Sequence, residues 1–195
     1  MTVYRHIQKF LFVSGLFLLA ACGAKDDLSQ PPEPMGDFLL GHNIVKAKDV
    51  KIGPLSRKAT PEEWEKSVSE AISARIGRYD GTHYFHLGTH IDGYVLAQPG
   101  IPVVAAPKSV LIISVNVWDD ETGEKLTEKP KVFTVFERSN APAFIIGSGL
   151  VNSKEQQMQN LSENAARHIH KWLLENQQWF VHDDAKAIKV DKTIN

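Results

Sequence analysis

Residues 109–137 read SVLIISVNVWDDETGEKLTEKPKVFTVFE, and the fold class turns on how that stretch is folded back on itself. The run 109–119 is rich in β-branched side chains and reads as a strand. Asp120-Glu121-Thr122-Gly123 is a turn, and 125–137 returns as a second strand. On the return, Val132, Thr134 and Phe136 share one face, and Phe133 and Val135 the other. Two such runs joined by a short Gly-containing link form a hairpin, an antiparallel pair.

Working upstream, 83–97 has Phe85, Leu87, Ile91, Val95 and Ala97 on odd positions and Tyr84, His86, His90 and Tyr94 on even ones. That period of two predicts another strand, bent at Gly88 or Gly93. Pro99, Pro102 and Pro107 exclude a central strand from the connection that follows. Val45, Ala47, Val50 and Ile52 predict one strand within 38–52, ended by Gly53-Pro54. A short strand is expected at 143–146.

Two helices complete the pattern. Thr60-Pro61-Glu62-Glu63 supplies a cap, a proline suited to the first helical position and a capping-box glutamate. Trp64, Val68, Ala71, Ile72 and Ile76 follow at helical spacing, and Gly77 suits the stop, so a helix is predicted over 61–76. Ser153 with Gln156 opens the second, whose apolar face is Met158, Leu161, Ala165, Ala166, Ile169, Trp172 and Leu173. It is predicted to end near Asn176, with Trp179 and Phe180 turning back into the core. The expected fold is α+β, an antiparallel or mixed sheet of four to five strands with two amphipathic helices packed on it.

The 195 residues are 43% hydrophobic and 23% charged, with a single cysteine, which excludes a disulfide scaffold, a cysteine-rich zinc module and a wholly disordered chain. Lys plus Arg at 22 against Asp plus Glu at 23 leaves no basic footprint, so no nucleic-acid partner is expected.

Residues 1–21 read as a signal peptide: Arg5 and Lys9, an apolar run over 10–19, then small residues. Leu19-Ala20-Ala21-Cys22 resembles the lipobox of bacterial lipoproteins. The resemblance implies that Cys22 is acylated, cleavage falls before it, and the lipid is the membrane contact. An ordinary signal peptide with a cysteine near its cut is the alternative. Cleavage would leave 20 basic against 23 acidic residues, which gives no electrostatic reason to lie on anionic lipid. Gly23 stands where such lipoproteins carry Asp for inner-membrane retention, so the sorting rule favours the outer membrane, facing the periplasm. Residues 22–37, with Pro-Pro-Glu-Pro, are expected to form a semi-stiff tether, 38–180 the domain, and 181–195 a polar tail.

Candidate chemistry is sparse. His83, His86 and His90 fall within eight residues, but on a strand His86 and His90 share a face and His83 points the other way. His168 and His170 lie on different sides of the second helix. A zinc site needs three or four converging ligands, and none is predicted. Gly147-Ser148-Gly149 before a helix lacks the third glycine of a dinucleotide fingerprint, since Asn152 stands there, and Ser148 lacks a nucleophile elbow. Asp119, Asp120, Glu121 and Glu124 read as a solvated turn. No catalytic residues and no cofactor are assigned. Ile101, Val103 and Val104, apolar in a Pro-punctuated connection, are a candidate partner-docking loop, with packing over the sheet's open end as the plainer reading.

Three stretches together, 93–97 leading to 107–109, Val117-Trp118-Asp119 with Thr122-Gly123, and 147–150 with Trp172-Leu173, resemble a family of uncharacterised bacterial lipoproteins. More distantly the element order is similar to small periplasmic α+β auxiliary lipoproteins. The resemblance implies no catalytic residues. The leading expectation is a non-enzymatic, lipid-anchored adaptor or auxiliary subunit that binds an envelope protein. The second is a carrier of a lipid or small amphiphile held between helices and sheet, and the third an enzyme or metal protein using the strand histidines.

Overall fold

The structure, a computed structural model, describes residues 28–99, 109–137 and 152–181. The chain divides into two units, Met1–Pro31 and Pro32–Asn195. The regular elements of the described residues belong to the second. They are β1 (Phe38–Lys46), β2 (Lys51–Ile52), α1 (Pro61–Ile76), β3 (His83–Val95), β4 (Val110–Asp119), β5 (Lys131–Phe136), α2 (Lys154–Glu175) and a 3-10 turn (Gln177–Phe180). The expected strand at 143–146 and the tail from 182 lie outside the described residues.

The sheet runs β1-β3-β4-β5. β1 and β2 both pair parallel with β3, while β3–β4 and β4–β5 are antiparallel. It is therefore a mixed five-stranded sheet with two helices on it, an α+β fold. The parallel pair follows from chain order: α1 intervenes between β1 and β3, and a parallel neighbour needs such a crossover.

Both helices pack on one face. α1 contributes Trp64, Val68, Ile72 and Ile76, and α2 contributes Leu161, Ala165, Ala166, Ile169 and Leu173, all fully buried against Phe85, Leu87, Leu111, Ile113, Val115 and Val117. Each large side chain so buried stabilises the fold by about 1.5–3 kcal/mol. The Ser67 and Ser162 hydroxyls meet at 2.8 Å where the helices cross. Both capping boxes form as expected, and the Glu63 of the first also takes the Lys154 ammonium at 2.5 Å. That contact and the Thr60 N–H hold the Glu63 carboxyl below its ordinary value, and the Lys154 ammonium is pushed up by the same carboxylate.

Four expectations are corrected. The region 38–52 holds two strands, because Asp49 adopts a left-handed conformation (φ 61°) in a turn closed by Val50 N–H donating to Ala47 O. The ladder of β3 ends at Val95 after a bulge between Ile91 and Gly93, and Ala97 keeps only an isolated bridge to Ser56. The return strand is confined to Lys131–Phe136, because Pro130 offers no N–H and only Lys125 bridges back to Trp118 before it. Finally, the domain begins before residue 38. Met35 is 1% exposed, the Tyr79 hydroxyl donates to Glu33 O at 2.7 Å, and Asp37 N–H donates to Phe180 O at 2.9 Å. Residues 33–37 are thus a strap on the domain, drawn in by one buried methionine among polar neighbours. Phe180 is fully buried, as expected, edge-on to Phe38 and Phe85. Among the described residues no helix is long and apolar enough to cross a membrane.

Candidate binding face

Both helices lie on one face of the sheet, and among the described residues no helix covers the other face. β4 sends Val110, Ile112, Ser114, Asn116 and Trp118 to that side, all partly exposed, because its alternation puts Leu111, Ile113, Val115 and Val117 in the core. β5 adds Val132, Thr134 and Phe136. Val132 at 58% and Phe136 at 54% exposure are among the barest large apolar side chains described. Opposite pairs Val110–Phe136 and Ile112–Thr134 join the two strands into one apolar strip.

At one end the strip deepens into an open groove of about 440 Å³, with Ile52, Val95, Val110 and Ile112 as walls and Lys51, His90 and Asp92 at the rim. A Cβ at Gly93 would sit 3.0 Å from Lys51 O, so a larger residue there would press β2 back by a few tenths of an ångström. Val95 and Val110 are the last and first ladder residues on either side of the connection that carries Ile101, Val103 and Val104. Those three residues lie outside the described residues, as do Leu19, Ala20, Ala21, Cys22 and Gly147-Ser148-Gly149.

The strand histidines do not converge; each takes its own carboxylate. His83 Nδ1 is 2.6 Å from Asp37 Oδ2 and its Nε2 3.5 Å from Glu121. His86 Nε2 is 2.8 Å from Asp120 Oδ1. The His42 N–H donates to His86 Nδ1 at 2.9 Å, which puts the proton of a neutral ring on Nε2, facing the aspartate. His90 Nδ1 lies 2.9 Å from Asp92 Oδ1 and Nε2 3.1 Å from Lys48 O. A neutral ring has one N–H for these two acceptors; the protonated ring serves both. Among the described residues no group of three or more ligand-type side chains is placed to hold a metal ion.

The Ser114 hydroxyl donates to Asp92 Oδ2 at 2.6 Å. The order is serine, aspartate, histidine, with the carboxylate in the middle. Nucleophile activation needs the imidazole there, so this chain of bonds fixes side chains and does not activate the hydroxyl. On α2, the His168 ring lies beside Phe133 with part of its surface open to solvent; partial desolvation there, then the Arg167 and Lys171 charges, lower its pKa. His170 is buried, with Nε2 2.6 Å from the Tyr79 hydroxyl, which burial pushes up to about 12.

The turn carboxylates are not the merely solvated set expected from the sequence. Asp119 is 9% exposed and accepts the Glu121 N–H at 2.8 Å, while Asp120 and Glu121 reach His86 and His83. Sequence reasoning missed Asp37, Asp92 and Asp120 as histidine partners. The signal lay in the β3–β4 register: Phe85 opposite Asp119 brings the turn after β4 beside the start of β3.

No protein-family model matches the sequence, and no curated protein matches it. Solved structures to which it is similar include a protein from Xanthomonas campestris of the DUF330 family, with 14% identity and a TM-score of 0.40, covering 76% of this chain and 91% of that one. A hypothetical protein from Chlamydia trachomatis shares 10% identity at a TM-score of 0.39 over 71% of this chain and 95% of the other. A minor lipoprotein from Acinetobacter baumannii shares 15% identity at 0.35 over 74% and 97%. Likeness at this level carries no argument about activity.

Proposed function

We propose that this chain is a lipid-anchored protein of the bacterial cell envelope, held through Cys22, whose domain is a non-enzymatic adaptor that binds a protein partner in the periplasm. The observation that carries the reading is the sheet face that no described helix covers, where Val132 and Phe136 stand more than half exposed on a strip that runs into an apolar groove. Contiguous apolar surface of this kind marks an interaction site. The signal-like residues 1–21 and the cysteine after Leu19-Ala20-Ala21 support the anchor, and Gly23 supports the outer membrane.

The test is crosslinking in living cells with a photoreactive residue at Ile52, on the groove, or at Glu70, exposed on α1. One envelope protein captured from Ile52, not from Glu70, and lost in Cys22→Ala is the expected result. An Ile52 probe that captures nothing while the protein stays membrane-bound would overturn it. The carrier reading places a lipid between helices and sheet, where Trp64, Phe38, Phe85 and Phe180 are fully buried and fill the space. Solvent extraction of the purified protein tests that reading directly.

A further inference from the structure

Among the described residues no strand pairs with the outer edge of β5, and the sequence of that edge is self-complementary. Glu137 N–H donates to Ser109 O, so along β5 the residues Phe133, Val135 and Glu137 bond towards β4. Val132, Thr134 and Phe136 therefore turn their N–H and C=O groups away from the sheet. Among the described residues no strand takes them; Asn164 Nδ2 donates to one lone pair of Phe136 O and leaves the other. An edge of this kind is a template for a further strand.

Residues 131–137 read KVFTVFE. Laid antiparallel against themselves about Thr134, they oppose Thr134 to Thr134, Phe133 to Val135, Val132 to Phe136, and Lys131 to Glu137. Aromatic with β-branched, threonine with threonine and opposite charges are the pairs that stabilise a sheet, and no position opposes like charges. The ends suit the pairing as well. Lys131 is exposed, and the Glu137 carboxylate has one oxygen bonded to Asn152 and a second, buried, with no partner. A two-fold contact must be self-complementary in this way.

We infer that the occupant of this edge is a second copy of the same chain, with β5 pairing antiparallel to β5 about Thr134 in a two-fold dimer with one continuous sheet. The inference does not need the partner assigned to the groove, although Val132 and Phe136 belong to both surfaces.

One cysteine added to the full-length protein, which already carries Cys22, tests it, with the disulfide mapped by peptide mass to the added residue and not to Cys22. Thr134→Cys places two thiols opposite each other, whereas Val132 meets Phe136 and lies ~13 Å from its own counterpart. Thr134→Cys should give about tenfold more reducible dimer than Val132→Cys or Phe136→Cys alone, because only opposed positions are within disulfide reach. Val132→Cys co-expressed with Phe136→Cys should restore the dimer. Lys131→Glu should reduce the Thr134→Cys dimer, and adding Glu137→Lys should recover it. Thr134→Cys that stays monomeric, equal dimer from all three single cysteines, or a disulfide from residue 134 to a different protein would each overturn the inference.

Discussion

Asp37 shows what one side chain does for this fold. Its carboxylate accepts the Thr82 N–H, the Thr82 hydroxyl and the His83 ring, and these bonds, the Thr82 N–H foremost, lower its pKa from 3.8 to about 2. A pKa lowered on folding contributes stability above the unfolded value and loses it as pH falls through the folded one. Asp37→Asn is therefore expected to cost about 1–2 kcal/mol at neutral pH, given a third-exposed carboxylate with several donors. In urea titrations the gap between wild type and variant should close as pH drops below about 4 towards 2; a gap that persists at pH 2 would count against this account. Gly88 is a second such point. A Cβ there would lie 2.7 Å from the Trp118 ring, which crosses over it on the uncovered face. Gly88→Val should cost about 1–3 kcal/mol and move the Trp118 indole into solvent, read as a red shift in tryptophan emission.

The helices were the most legible elements in the sequence. Thr60 with Glu63 and Ser153 with Gln156 are local signals, and each helix formed from the residue they marked. Thr60→Ala is expected to cost about 1 kcal/mol. Lys154→Met should cost less, a few tenths, and the loss should shrink in high salt, because Glu63 is 41% exposed. Chemical denaturation at two ionic strengths separates the two. Strands were legible by alternation, but not their ends or neighbours. Nothing local to 38–52 reports that Asp49 takes a positive φ, and the parallel pairing of β1 with β3 is a non-local choice. The histidine–carboxylate pairs were hidden for the same reason, since His83 and Asp37 are 46 residues apart and meet only once β1 and β3 are side by side. The apolar β5 face could be read, because Val132, Thr134 and Phe136 alternate in the sequence.

Across the whole molecule, the two ends of the domain close on each other. Phe180 meets Phe38 and Phe85 edge-on, and its carbonyl holds the Asp37 N–H. Phe180→Ala is expected to cost about 3–5 kcal/mol through the cavity it leaves. It should also loosen the strap, so that limited proteolysis cuts near residues 33–37 before it cuts the helices. Simultaneous loss of both would show that the strap is not a separate layer of the fold.

The same closure sets a path for mechanical load. A pull on the chain ahead of Pro32 reaches the domain through Glu33, held by Tyr79, the buried Met35, and Asp37, held by Thr82, His83 and Phe180. Tension is thus shared between the root of β3 and the final turn. The first thing to give way under force is a five-residue strap, so the sheet and the surface it displays are mechanically fused against tugging from the N-terminal side.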